Sequence, residues 1–216
     1  MANLITVHSM LVELHGGMLT LVAICILATV VARFHFSSRK TSGSYGIFWP
    51  ADSFMGKVAQ YAEPTAYVAA IGGAIGLIAS AVAGLYIYPM SFVESSSLVL
   101  GKIAFSVFTL DLMLVFVFFR SKYGQNLWKG RGTAAVYACT GLAGFVFMVL
   151  TASIGGHMAG KGSVLDPLYT LMKINPENLG FTQSNFPIIT IGITIVVLVF
   201  PTLAFMYFQR KTIHKS

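Results

Sequence analysis

Residues 98–119 read LVLGKIAFSVFTLDLMLVFVFF, an unbroken apolar run whose only charged members are Lys102 and Asp111. A helix needs roughly 20 apolar residues to cross about 30 Å of hydrocarbon, so this run predicts a membrane span. Four more stretches have the same character: about 11–36, 64–88, 133–156 and 187–208. A transmembrane barrel would show segments of about ten residues alternating in polarity, and none of these runs alternates. The fold class is therefore all-α, with residues 1–216 forming one integral membrane bundle of about five transmembrane helices. No internal repeat or low-complexity tract divides it.

Composition agrees with this reading. The chain is 56% hydrophobic and 10% charged, whereas soluble domains carry about 25% charged residues. Its mean hydropathy is +0.78. A formal charge of +7 in a soluble protein would point to nucleic acid. Here the Lys and Arg residues cluster between apolar runs, where they set topology, and nucleic-acid binding is rejected. Cys25 and Cys139 both fall inside apolar runs and read as small buried hydrophobes rather than a disulfide framework.

The basic residues also orient the spans. The first connection and its flanks hold Arg33, Arg39, Lys40 and Lys57, and the third holds Arg120, Lys122, Lys129 and Arg131. The tail holds Arg210, Lys211 and Lys215, which leaves only Lys102, Lys161 and Lys173 for the other side. The positive-inside rule then places the N-terminus outside, the C-terminus in the cytoplasm and the protein in the cell membrane. No Lys or Arg precedes the first run, which is long enough to span, so that run is expected to remain in the mature protein. Two connections are long enough for structure of their own, residues 37–62 inside and 157–186 outside, and each is expected to lie on the membrane surface. In the outer one, Asp166-Pro167 reads as an N-cap with proline at the first helical position, opening a short amphipathic helix Leu168–Met172. Pro201 is expected to kink the fifth span.

The second span carries Gly72, Gly76, Ser80 and Gly84 at strict four-residue spacing, a smooth groove along one face. Its ordinary occupant is a neighbouring helix; a flat cofactor ring is the alternative. Ionisable residues within spans are costly and default to functional candidates, here His8, Glu13, His15, Asp111 and His157. His8 and His15 are two helical turns apart and share a face if the helix begins early enough. His15 lies in Leu14-His15-Gly16-Gly17-Met18 and His157 in Gly155-Gly156-His157-Met158. The first span runs inward and the fourth outward, so both histidines end near the outer face, within about two turns of one depth.

Two histidines on antiparallel helices, each beside a glycine pair, suit axial ligation of one haem b near the outer face. Gly16, Gly17, Gly155 and Gly156 would clear space for the ring, and Lys102 and Lys161 would meet its propionates. In these residues the chain resembles the small bis-histidine membrane cytochromes of the b type. The resemblance covers the first four spans and implies a haem electron-transfer subunit of a respiratory or oxidoreductase complex, working with other membrane subunits and with quinone. Many members carry a second ligand pair near the inner face, where this chain offers only His35, so a second haem is not expected.

Other readings of the same residues stand beside it. A histidine at a helix end is ordinarily bonded to water or backbone. Copper accepts imidazole and, as Cu(I), thioether, which brings in His8, Met10, His15, Met18, His157 and Met158. A cofactor-free accessory subunit of a larger membrane enzyme also accounts for the glycine-rich second span. Glu13, near the outer interface and about 200° around the helix from His15, and Asp111, deep in the third span, are the candidates for proton exchange with quinone. An isolated carboxylate at the depth of Asp111 is expected to be protonated or hydrogen-bonded.

Overall fold

The computed structural model describes residues 2–37 and 54–213. Its elements, in order, are α1 (Ala2–Ser37), α2 (Phe54–Ile87), α3 (Met90–Ser95), α4 (Ser97–Tyr123), a 3₁₀ turn (Gly124–Trp128), α5 (Arg131–Met158), α6 (Asp166–Met172), a second 3₁₀ turn (Pro176–Leu179) and α7 (Phe186–Ile213). Five of them, α1, α2, α4, α5 and α7, are long and apolar enough to cross a membrane. Among the described residues there is no strand.

The spans fall where the apolar runs predict, with two corrections at their ends. Helix α1 starts at Ala2, nine residues before the apolar run, which meets the condition for His8 and His15 to share a face. Helix α2 starts at Phe54, not at Pro64, so residues 54–62, read as connection, are helical. Proline at 64 removes one backbone donor, but α2 continues through it just as α7 continues through Pro201. The surface placement expected of the first connection falls largely on residues 38–53, outside the described residues. In the other long connection the short helix is present as α6, beginning at Asp166 with Pro167 in its first turn. Asp166 is thus the first helical residue and not its cap.

Helices α1, α2, α4 and α5 form a bundle, and α7 leans on α4 and α5. In lipid no hydrophobic force draws helices together, so close packing of small residues must do so. The glycine groove of α2 serves that purpose, with α1 as its occupant. A Cβ built on Gly76 would lie 3.0 Å from the Cβ of His15, Gly72 abuts the Met18 sulfur, Gly73 abuts Leu19, and Gly84 faces the His8 ring. On the other flank Gly144 takes Met113 and Gly141 takes Phe116 and Ile26. Leu19, Val22, Ile26, Phe116, Tyr137 and Phe205 fill the centre. Helix α7 has only 11% of its apolar window buried, against 39–44% for the other four.

Candidate functional site

Helix α4 sets the ruler for depth. Lys102 and Arg120 stand at its two ends, eighteen residues or about 27 Å apart at 1.5 Å per residue, close to a hydrocarbon thickness. At the Lys102 end lie the N-terminus of α1, the C-terminus of α5 and the segment that carries α6. Ile26 meets Gly141 across the α1–α5 interface. Counting eleven residues up α1 and sixteen up α5 sets His157 about 7.5 Å further out than His15, within the two turns expected.

His15 is buried, 5% exposed, with its Cβ in the notch of Gly76. Its Nδ1 donates to the Leu11 carbonyl at 2.8 Å, and Nε2 has no hydrogen-bond partner among the described residues. His8 donates from Nδ1 to the Ser80 carbonyl of α2 at 2.9 Å. The His8 imidazole therefore joins α1 to α2 by a hydrogen bond, whereas His15 meets α2 through its Cβ and backbone at Gly76, and His8 and Lys102 lie within electrostatic reach of His15.

His157 belongs to a different set of contacts. Its Nε2 sits 2.9 Å from Oδ1 of Asp166, and the other Asp166 oxygen accepts from the backbone N–H of Ser163 at 2.8 Å. Gly160 and Gly162 both adopt positive φ, the conformation that lets the chain double back from α5. Tyr169 of α6 is buried and hydrogen-bonds Ser153 of α5 at 2.9 Å. Together these contacts clip α6 onto the end of α5, beside an open cleft of about 380 Å³ whose lining includes His157, Asp166, Tyr169 and Lys173.

The glycines expected to clear space for a ring are used unequally. Gly16 and Gly17 face open space, with nothing within 4 Å of an added Cβ. Beside Gly155 stands the Lys102 ammonium, 3.1 Å from such a Cβ, and beside Gly156 stands the Gly162 carbonyl oxygen, which leaves no room for one. A bis-imidazole haem does not fit this arrangement: the notch beside His157 is filled by backbone and its Nε2 is paired with Asp166. Lys161 is exposed in the turn that follows α5.

The copper candidates are likewise dispersed. Met10 is 64% exposed, the Met18 sulfur packs on Gly72, and Met158 faces outward. Among the described residues no three His, Cys, Asp or Glu side chains come together. Glu13 is exposed on α1, whereas Asp111 lies on α4 near Thr194 of α7, so the two carboxylates are not brought together. Cys25 is buried as expected, but Cys139 faces outward, and both are free thiols. The side chain of His35 lies outside the described residues.

The most heavily built polar site is at the opposite end and involves residues that sequence reasoning passed over. Glu63 of α2 is 4% exposed and forms an ion pair with Arg120 of α4. The hydroxyl of Tyr137, fully buried on α5, donates to Oε1 of Glu63 at 3.0 Å. The Tyr137 ring stacks on Phe116 at 4.3 Å and meets Trp128 edge-on at 5.6 Å. Arg33 of α1 lies over the Trp128 ring, 4.7 Å from its centroid. Three helices thus meet at one carboxylate, and Trp128 of the 3₁₀ turn and Arg33 of α1 pack alongside. The available signal was an acidic residue one step before Pro64 at the edge of an apolar run.

No family model, curated protein or solved structure matches this chain.

Proposed function

We propose that this chain is a cofactor-free structural subunit of a larger complex in the cell membrane, with other membrane-spanning subunits as its partners. The observation that carries this reading is the clip at the end of α5, where His157 pairs with Asp166 and Gly156 receives the Gly162 carbonyl. Of the residues singled out for a ring, His15, Gly155, Gly156 and His157 instead pack helices and loops against one another. The narrow attachment of α7 agrees with a chain assembled among further helices. A second reading, a haem b electron-transfer subunit, is favoured by His15 alone, whose Nε2 has no partner among the described residues and which lies within electrostatic reach of Lys102.

A visible spectrum and metal analysis of the protein purified from its native membrane separate the two. The structural reading expects no reduced haem band, no stoichiometric copper, and partner subunits at fixed stoichiometry with the 23.3 kDa chain. A haem band that His15→Ala abolishes establishes the second reading. If His157→Ala abolishes it too, His157 must leave Asp166 in the loaded protein and the clip is not its working state.

The proposed orientation, N-terminus outside and C-terminus cytoplasmic, rests on the distribution of Lys and Arg. A cysteine replacing Ser163 should react with an impermeant reagent from outside, while a reporter fused after Ser216 is active only in the cytoplasm. The reverse pattern inverts the bundle.

A further inference from the structure

The network around Glu63 holds more positive charge than it can neutralise. Its carboxylate is taken by Arg120 and Tyr137. Arg33 lies within electrostatic reach of Glu63, yet among the described residues no carboxylate stands within ion-pair distance of it. Its guanidinium is partly exposed and sits over the Trp128 ring, which contacts Tyr137 and so belongs to the same assembly. The Arg33 Nε and the Trp128 indole nitrogen are both buried donors with no acceptor among the described residues. A cation immobilised with unused donors at the edge of low-dielectric surroundings is arranged for an anion from outside the chain.

Depth narrows the anion. Arg120, in the same network, is about 27 Å along α4 from Lys102, so the network lies at a hydrocarbon boundary, where tryptophan belongs and lipid phosphates reside. The geometry points to Arg33 and Trp128 as a phosphate site that takes the headgroup of an anionic membrane lipid, with Glu63 holding Arg120 apart as the structural pair. A guanidinium binds phosphate through paired N–H groups, and its cation–π contact with an indole limits how far it can swing from the site. Basic pockets between membrane helices are a recurrent form of lipid headgroup recognition.

Native mass spectrometry of the full chain in detergent, with phosphatidylglycerol or phosphatidylcholine added, tests this. Wild type should retain phosphatidylglycerol about tenfold more than phosphatidylcholine, the scale of one charge-assisted contact. Arg33→Gln should remove that preference. Lys129→Gln, which deletes an exposed cation at the same end, should leave it intact. Equal retention of the two lipids by wild type, or equal losses in Arg33→Gln and Lys129→Gln, overturns the site in favour of diffuse surface charge. Should Arg33→Gln fail to fold, Trp128→Phe keeps a ring against Tyr137 and reads the same site. A loss of about threefold is expected there, and unchanged retention overturns the proposal. Inorganic phosphate is the control for source. Failure to displace the lipid supports a headgroup, whereas displacement together with Arg33-dependent phosphate binding overturns the lipid assignment in favour of a soluble phosphate.

Discussion

Glu63→Ala is expected to destabilise the folded protein by about 3–5 kcal/mol, a large share of the stability of a typical domain. The substitution leaves the Arg120 guanidinium partly buried without its carboxylate and the buried Tyr137 hydroxyl without its acceptor. Each is a desolvated group that water cannot easily reach, and the cost is that of stranding them rather than the net strength of the ion pair. Arg120→Met should cost less, because an uncompensated carboxylate can take up a proton. Glu63→Leu combined with Arg120→Met should recover much of the loss, since it strands no charge. Unfolding by denaturing detergent, followed by tryptophan fluorescence, gives the ranking. A loss under about 1 kcal/mol in Glu63→Ala would place the pair among solvated surface ion pairs and remove the framework on which the Arg33 site depends.

The spans were legible because their signal is additive: a run such as 98–119 contains enough apolar residues that one Asp and one Lys cannot disguise it. Helix ends were less so. The second apolar run opens at Pro64, yet a proline costs a helix only one donor, and α2 extends ten residues upstream of it. The α2 glycine groove was readable in spacing, and α1 is the kind of occupant it implies. The histidines show where spacing stops being informative. That His15 and His157 sit at similar depth follows from topology. That His157 pairs with Asp166 depends on how residues 159–165 turn back, and two positive-φ glycines decide that turn. Glu63 was overlooked for a related reason. Arg120 and Arg33 read as topology-setting charges, and only the packing of three helices shows that one carboxylate draws Arg120 and Tyr137 inward.

Gly76→Leu is expected to cost about 3 kcal/mol, the upper end of ordinary overpacking, because the atoms it meets cannot give way. An added Cβ lies 3.0 Å from the His15 Cβ, 3.6 Å from its Cα and 3.7 Å from its backbone nitrogen, so the rest of the leucine must displace α1 as a unit. Separation at this point also draws Met18 away from Gly72 and His8 away from the Ser80 carbonyl. Gly72→Leu should cost less, since its neighbours are the sulfur and terminal methyl of Met18, which can rotate. Gly16→Leu supplies the control, because nothing lies within 4 Å of its added Cβ and leucine is a better helix former than glycine. Its unfolding midpoint should match or exceed that of wild type. The same variant also bears on the haem reading: a haem band lost in Gly16→Leu, with stability unchanged, would mean that a ring occupies the space beside α1. If Gly76→Leu unfolds within about 0.5 kcal/mol of wild type, α1 does not lie in the α2 groove, and the assignment of His8 and His15 as α1–α2 contacts fails with it.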